Sequence, residues 1–136
     1  MSAAFFFPGQ VWSLKPPAHP VMRVRIGVVE SVGGRIGVHM EVLNAPLPEG
    51  FEAGEGVKTL SIGHVPITAE ALETAVDELE ASGATLSKPF VEGVNAWRLE
   101  QEKGRAGFFD APPHAIVEML FEAMRQSSRP TLQGGS

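Results

Sequence analysis

The sequence predicts an α+β domain in which an antiparallel sheet is followed by helices. Three observations carry this. Apolar and polar residues alternate from Met22 to Val28 and again from Ile36 to Val42, the spacing turns helical after Thr68, and glycine or proline marks the changes of direction. The chain has 136 residues, which suits a single domain over 1–126, and its 43% hydrophobic residues are enough for a core.

Gly9-Gln10-Val11-Trp12-Ser13-Leu14 reads as a short opening strand, and Lys15–Pro20 as a proline-rich loop that cannot donate to a ladder. Met22, Val24, Ile26 and Val28 then alternate with Arg23, Arg25 and Gly27. After Gly33-Gly34 the pattern resumes, with Ile36, Val38, Met40 and Val42 inward and Arg35, Gly37, His39 and Glu41 outward. A three-residue loop, Val32-Gly33-Gly34, pairs Val28 with Val38, Ile26 with Met40 and Val24 with Val42, whereas a two-residue loop sets apolar groups opposite polar ones. The longer loop is the expectation, and it places Arg25 opposite Glu41 on a solvated outer face.

Val57–Ile62 predicts a further strand. A helix should follow, capped by Thr68, with Leu72, Val76 and Leu79 as its apolar stripe and Gly83 at its end. Pro89 opens a second helix with Phe90, Val94 and Trp97 inward and Gly104 beyond its end. Asp110 is the expected cap of a third, which carries Pro112 and Pro113 in its first turn and Ile116, Leu120 and Ala123 on one face. Gly107-Phe108-Phe109 adds either a short strand or two rings to the core. The expected sheet is small, of three to four strands, strongly bent and SH3-like, with three helices after it. Residues 127–136 hold one apolar side chain, Leu132, and are expected to form a flexible tail.

Gly9-Gln10-Val11-Trp12, the proline-bearing loop, Val29-Glu30, Gly37-Val38-His39, and Gly63-His64-Val65-Pro66 ahead of an acidic segment are similar to a family of small uncharacterised bacterial proteins. The resemblance spans Phe7 to Met124. It implies a small stand-alone bacterial protein and transfers no functional residue. The chain departs from the family's pattern between the first two strands, where Pro16, Pro17 and His19 stand in place of a loop rich in arginine and glutamate.

Composition excludes several chemistries. With no cysteine there is no disulfide, thiolate nucleophile or cysteine zinc site, and a net charge of −5 argues against a general nucleic-acid binder. Phe5-Phe6-Phe7 lacks the preceding cation and long apolar run of a secretory signal, and no stretch is long enough for a membrane helix; a cytoplasmic location is the expectation. The glycine pairs lack the lysine and hydroxyl of a phosphate-binding loop, and the four histidines (His19, His39, His64, His114) have no metal spacing, so neither cofactor nor metal is expected.

The excess negative charge lies in 68–103, where eight acidic residues stand against Lys88, Arg98 and Lys103. On one helix, Glu70, Glu73, Asp77 and Glu80 would form a single acidic stripe. The leading expectation is therefore a non-enzymatic interaction module, an adaptor or immunity-type protein that binds a basic partner through Glu73, Asp77 and Glu80. The alternative is an enzyme or small-anion binder on the outer sheet face, with Arg23 and Arg25 for anion binding, His39 as base beside Glu41, and His64 at the strand end.

Overall fold

The computed structural model describes residues 5–51 and 54–127; of the tail expected over 127–136, Ser127 ends a helix and the rest lies outside the described residues. In chain order the elements are β1 (Val11–Leu14), β2 (Arg23–Val32), β3 (Arg35–Pro46), β4 (Thr59–Thr68), α1 (Ala69–Ala75), β5 (Val76–Ala81), α2 (Lys88–Glu102) and α3 (Pro113–Ser127). The class is α+β, with one antiparallel sheet of five strands in the order β4-β3-β2-β1-β5, in place of the expected three to four. No described helix is long and apolar enough to cross a membrane.

The sheet buries both faces. On one, Val24, Ile26, Val38, Met40, Val42, Val65 and Ile67 meet Leu72 of α1 and Ile116, Val117 and Phe121 of α3. Phe6 joins this core and meets Trp12 edge to face. On the other face lies α2, whose buried Phe90, Val94 and Trp97 contribute about 1.5–3 kcal/mol each through burial. This helix forms as expected. Ser87 caps it by accepting from Phe90 N, a proline occupies its first turn, and Gly104 follows it at φ +75°. Missing side chains let it approach closely: a Cβ at Gly27 would stand 2.1 Å from the Phe90 ring, and one at Gly93 would stand 2.4 Å from His64 Cβ.

The covering by α2 corrects the expectation of a solvated outer face. Arg25 and Glu41 pair as expected, but the Glu41 side chain keeps 3% of its exposure and His39 none. The turn also differs from expectation. Gly33 (φ +61°) and Gly34 (φ +83°) make a two-residue turn, pairing Val32 with Arg35, Val29 with Val38, and Val28 with His39 instead of Val38. A bulge at Gly27 then inserts one residue, so that Ile26 meets Met40 and Val24 meets Val42 as predicted. The turn and the apolar pairing are both satisfied, at the cost of one bulge.

The larger correction concerns residues 68–83. Thr68 caps a helix, with its hydroxyl accepting from Ala71 N, but α1 ends at Ala75 and β5 begins at once. Val76 pairs with Leu14, and Ser13 Oγ accepts from Glu78 N at 3.0 Å. The segment is recruited by the otherwise open edge of β1, and only its first residue, Val76, is buried. Asp77, Glu78 and Glu80 are exposed along the new edge, where charge discourages pairing with other chains. The strand predicted over Val57–Ile62 runs instead from Thr59 to Thr68. Asp110 does not cap α3; its carboxylate accepts from Thr68 Oγ1 and meets Arg35. Phe109 forms a parallel bridge to Ile67, while Phe108 turns its ring toward Trp97 and His39.

Candidate functional site

Two bulges frame His39. On β2 the extra residue is Gly27. On β4 it falls between Ile62 and Val65, so that Gly63 and His64 both oppose Glu41. The β4 bulge lets His64 share the α2 side of the sheet with His39, which belongs there by β3's own alternation, and the β2 bulge turns Glu30 to the same side. His39 Nδ1 lies 2.8 Å from His64 Nε2, and His39 Nε2 lies 2.5 Å from Glu30 Oε2. Glu30 Oε1 in turn accepts from Arg98 Nη1 of α2 at 3.2 Å. Trp97 meets the His39 ring edge to face at 4.7 Å, and Phe90 meets His64 at 5.9 Å.

The hydrogen bonds assign the tautomers. A carboxylate only accepts, so His39 carries its proton on Nε2 and offers a lone pair at Nδ1. His64 must then donate from Nε2, which leaves its Nδ1 as an acceptor with no partner among the described residues. Burial pushes the His39 pKa down; the bond and charge of Glu30 oppose this, Arg98 assists it, and burial prevails. His64 is pushed down to about 4, by burial first and then by the charge of His39. Both rings are therefore neutral at pH 7.

Glu41 organises a second buried cluster. Its carboxylate accepts from Arg25 Nε and from both the backbone N and the hydroxyl of Ser87. Burial opposes its charge, but these donors outweigh burial and hold its carboxyl below the usual range. Glu41 thus ties the start of α2 to the middle of the sheet.

The residues singled out as an outer-face site are divided. Arg25 and Glu41 join Ser87, His39 joins Glu30 and His64, and Arg23 turns to Glu80 Oε1 at 2.6 Å and to backbone carbonyls. His64 bonds to the His39 imidazole. The acidic stripe does not form: Glu73 lies half-buried on α1, Asp77 is exposed on β5, and Glu80 pairs with Arg23. Glu30, Arg98, Trp97 and Ser87 are the site residues that sequence reasoning missed. The one available signal was Glu30, which a two-residue turn sets opposite Gly37, two residues from His39 on the same face.

A groove of about 370 Å³ opens beside His64, walled by Trp97, Phe109, Glu100 and Arg105. A larger cleft of about 610 Å³ lies between the proline loop, the end of β3 and α3, lined by Met22, Leu47, Phe121 and His114 among others, but none of Glu30, His39, Glu41 and His64 lines it. Chemistry and volume therefore disagree, and we place the site at the smaller groove because His64, the outer end of the hydrogen-bonded chain, lines it. Among the described residues no group of histidine and carboxylate side chains has the arrangement of a metal site. Compared with known proteins, the chain matches no family model, no curated protein and no solved structure.

Proposed function

We propose that the protein binds a small ligand in the groove beside α2 and exchanges a proton with it through Glu30, His39 and His64. The observation that carries this reading is the continuous chain from Glu30 Oε2 through both nitrogens of the fully buried His39 to His64 Nε2. A ligand proton received at His64 Nδ1 releases the Nε2 proton to His39 Nδ1. The positive charge then settles on His39, against the Glu30 carboxylate, and not on the ring that faces the groove. Arg98 holds Glu30 from its other oxygen. This is the small-ligand alternative with revised roles: His64 is the outer base, His39 the inner carrier and Glu30 its carboxylate, while Arg25 and Glu41 secure the start of α2.

The test is nitrogen NMR of the imidazoles combined with a thermal-shift screen of small organic compounds. Protons on Nε2 of both His39 and His64, and hits whose stabilisation disappears in His64→Gln, are the expected results. A proton on His39 Nδ1 in the free protein would break the relay.

A basic protein partner is the second reading, favoured by the exposed run Asp77, Glu78 and Glu80 on edge strand β5. It now concerns a strand edge and not a helix face. Reversal of Asp77, Glu78 and Glu80 to lysine should abolish salt-dependent capture of that partner, and unchanged capture would remove the reading. We also infer an SH3-like sheet: the order β4-β3-β2-β1-β5 with a short helix between β4 and β5 supports it.

A further inference from the structure

We infer that α2 is released by acid: protonation of the His39–His64 pair lifts the helix off the sheet while the main core stays folded. No ligand in the groove is required. The way the two rings meet is the starting point. His39 Nδ1 and His64 Nε2 are 2.8 Å apart, a spacing that holds one hydrogen between two nitrogens. A first extra proton can enter at His64 Nδ1 and leave that bond intact. A second, on His39 Nδ1, would point two N–H groups at each other and put like charges on stacked rings with centres 5.0 Å apart. The docked pair therefore accepts one proton, and the separated pair accepts two.

The rings cannot separate beneath a seated helix. Gly93 of α2 lies against His64, where a Cβ would stand 2.4 Å from that of His64, and Trp97 meets His39 at 4.7 Å. The helix is also a separable layer. Phe90, Val94 and Trp97 are buried, yet none belongs to the apolar cluster of the main core. Gly83 and Gly104, both at positive φ, flank it and can act as hinges. The charged groups around the pair are Glu30 of β2, which favours a charged His39, and Arg98 of α2, which opposes it. Glu100, engaged by Arg105 and Lys103, stands beside His64 across the groove. Glu41 of β3 accepts from Arg25 of β2 and from Ser87; departure of the helix removes Ser87, so acid that protonates Glu41 acts in the same direction. Burial lowers the pKa of both rings, that of His64 to about 4, so opening takes up protons as pH falls below about 6.5.

The test is amide hydrogen exchange on the full chain at about pH 6 and about pH 5, with rates corrected for the intrinsic pH dependence of exchange. Uptake of two protons predicts that α2 amides lose protection about sixtyfold between the two, against about eightfold for one histidine. Amides of the β2–β3 hairpin should stay better protected than those of α2 at both. In His64→Gln, α2 should lose only about eightfold. Equal protection of α2 and the hairpin would show a single cooperative unit and overturn the inference. A wild-type loss of about eightfold or less, or an undiminished loss in His64→Gln, would overturn it as well. Where that variant does not fold, the wild-type exchange decides by itself.

Discussion

Glu30 Oε2 lies 2.5 Å from Nε2 of His39, a ring with no solvent exposure, and the two residues reach each other across neighbouring strands on the face covered by α2. A carboxylate so placed fixes the ring's tautomer and its orientation together. Glu30→Gln keeps the shape and removes the charge. It should lower the pH at which the histidine pair takes up a proton, because the carboxylate that favours the charged His39 ring is gone. An imidazole NMR titration of wild type and variant reads this; an upward or absent movement would contradict the role given to Glu30.

Stability should fall in acid through the same pair. Both histidines have folded-state pKa values below the unfolded value of about 6.5, so the unfolded chain binds more protons between the two values. Their contribution is fully present above about pH 6.5 and is lost as pH falls toward about 4, the folded-state value of His64. The loss attributable to His64 is roughly 3 kcal/mol at most. Urea unfolding at a series of pH values measures it, and His64→Gln should flatten the slope.

Glu41→Gln removes the charge that faces Arg25 while keeping an oxygen for Ser87. Breaking one side of a buried pair is costly, but Arg25 retains 22% of its side-chain exposure and water offsets part of the loss, so we expect about 2 kcal/mol. Ser87→Ala should cost about 1 kcal/mol through the lost helix cap. The double variant should cost less than the sum, because both changes act on the same attachment of α2. Chemical denaturation of the four proteins gives the coupling.

Gly27→Ala should destabilise by about 1–3 kcal/mol, because its methyl group would enter the Phe90 ring. Phe90→Leu in the same chain should recover part of the loss. Additive losses in the double variant would show that the clash is not the cause.

Much of the fold was legible in the sequence. The β2–β3 hairpin follows from strict alternation, and α2 from Ser87, Pro89 and the spacing of Phe90, Val94 and Trp97, all of them local signals. Residues 76–81 were not legible. Leu72, Val76 and Leu79 have helical spacing, and Asp-Glu-Leu-Glu-Ala is poor in strand formers; the strand exists because β1, more than sixty residues earlier, needs a partner on its second edge. The site was half legible. His39, Glu41, Arg25 and His64 could be named, but their grouping depended on two bulges and on the face that α2 covers, neither of which has a local signature at Val28 or His64.

The inserted residue at Gly27 acts as a phase shift between the two halves of β2. Toward the base of the hairpin, even-numbered residues enter the core; toward its tip, Val29 does so and Glu30 turns to the histidines. Straightening the strand with every residue kept would therefore do more than remove a bulge. It would pair Val28 with Val38, turn Val29 to the histidine face and drive Glu30 into the core, so the hairpin cannot lose its irregularity, short of losing Gly27 itself, without exchanging the carboxylate beside His39 for a hydrocarbon.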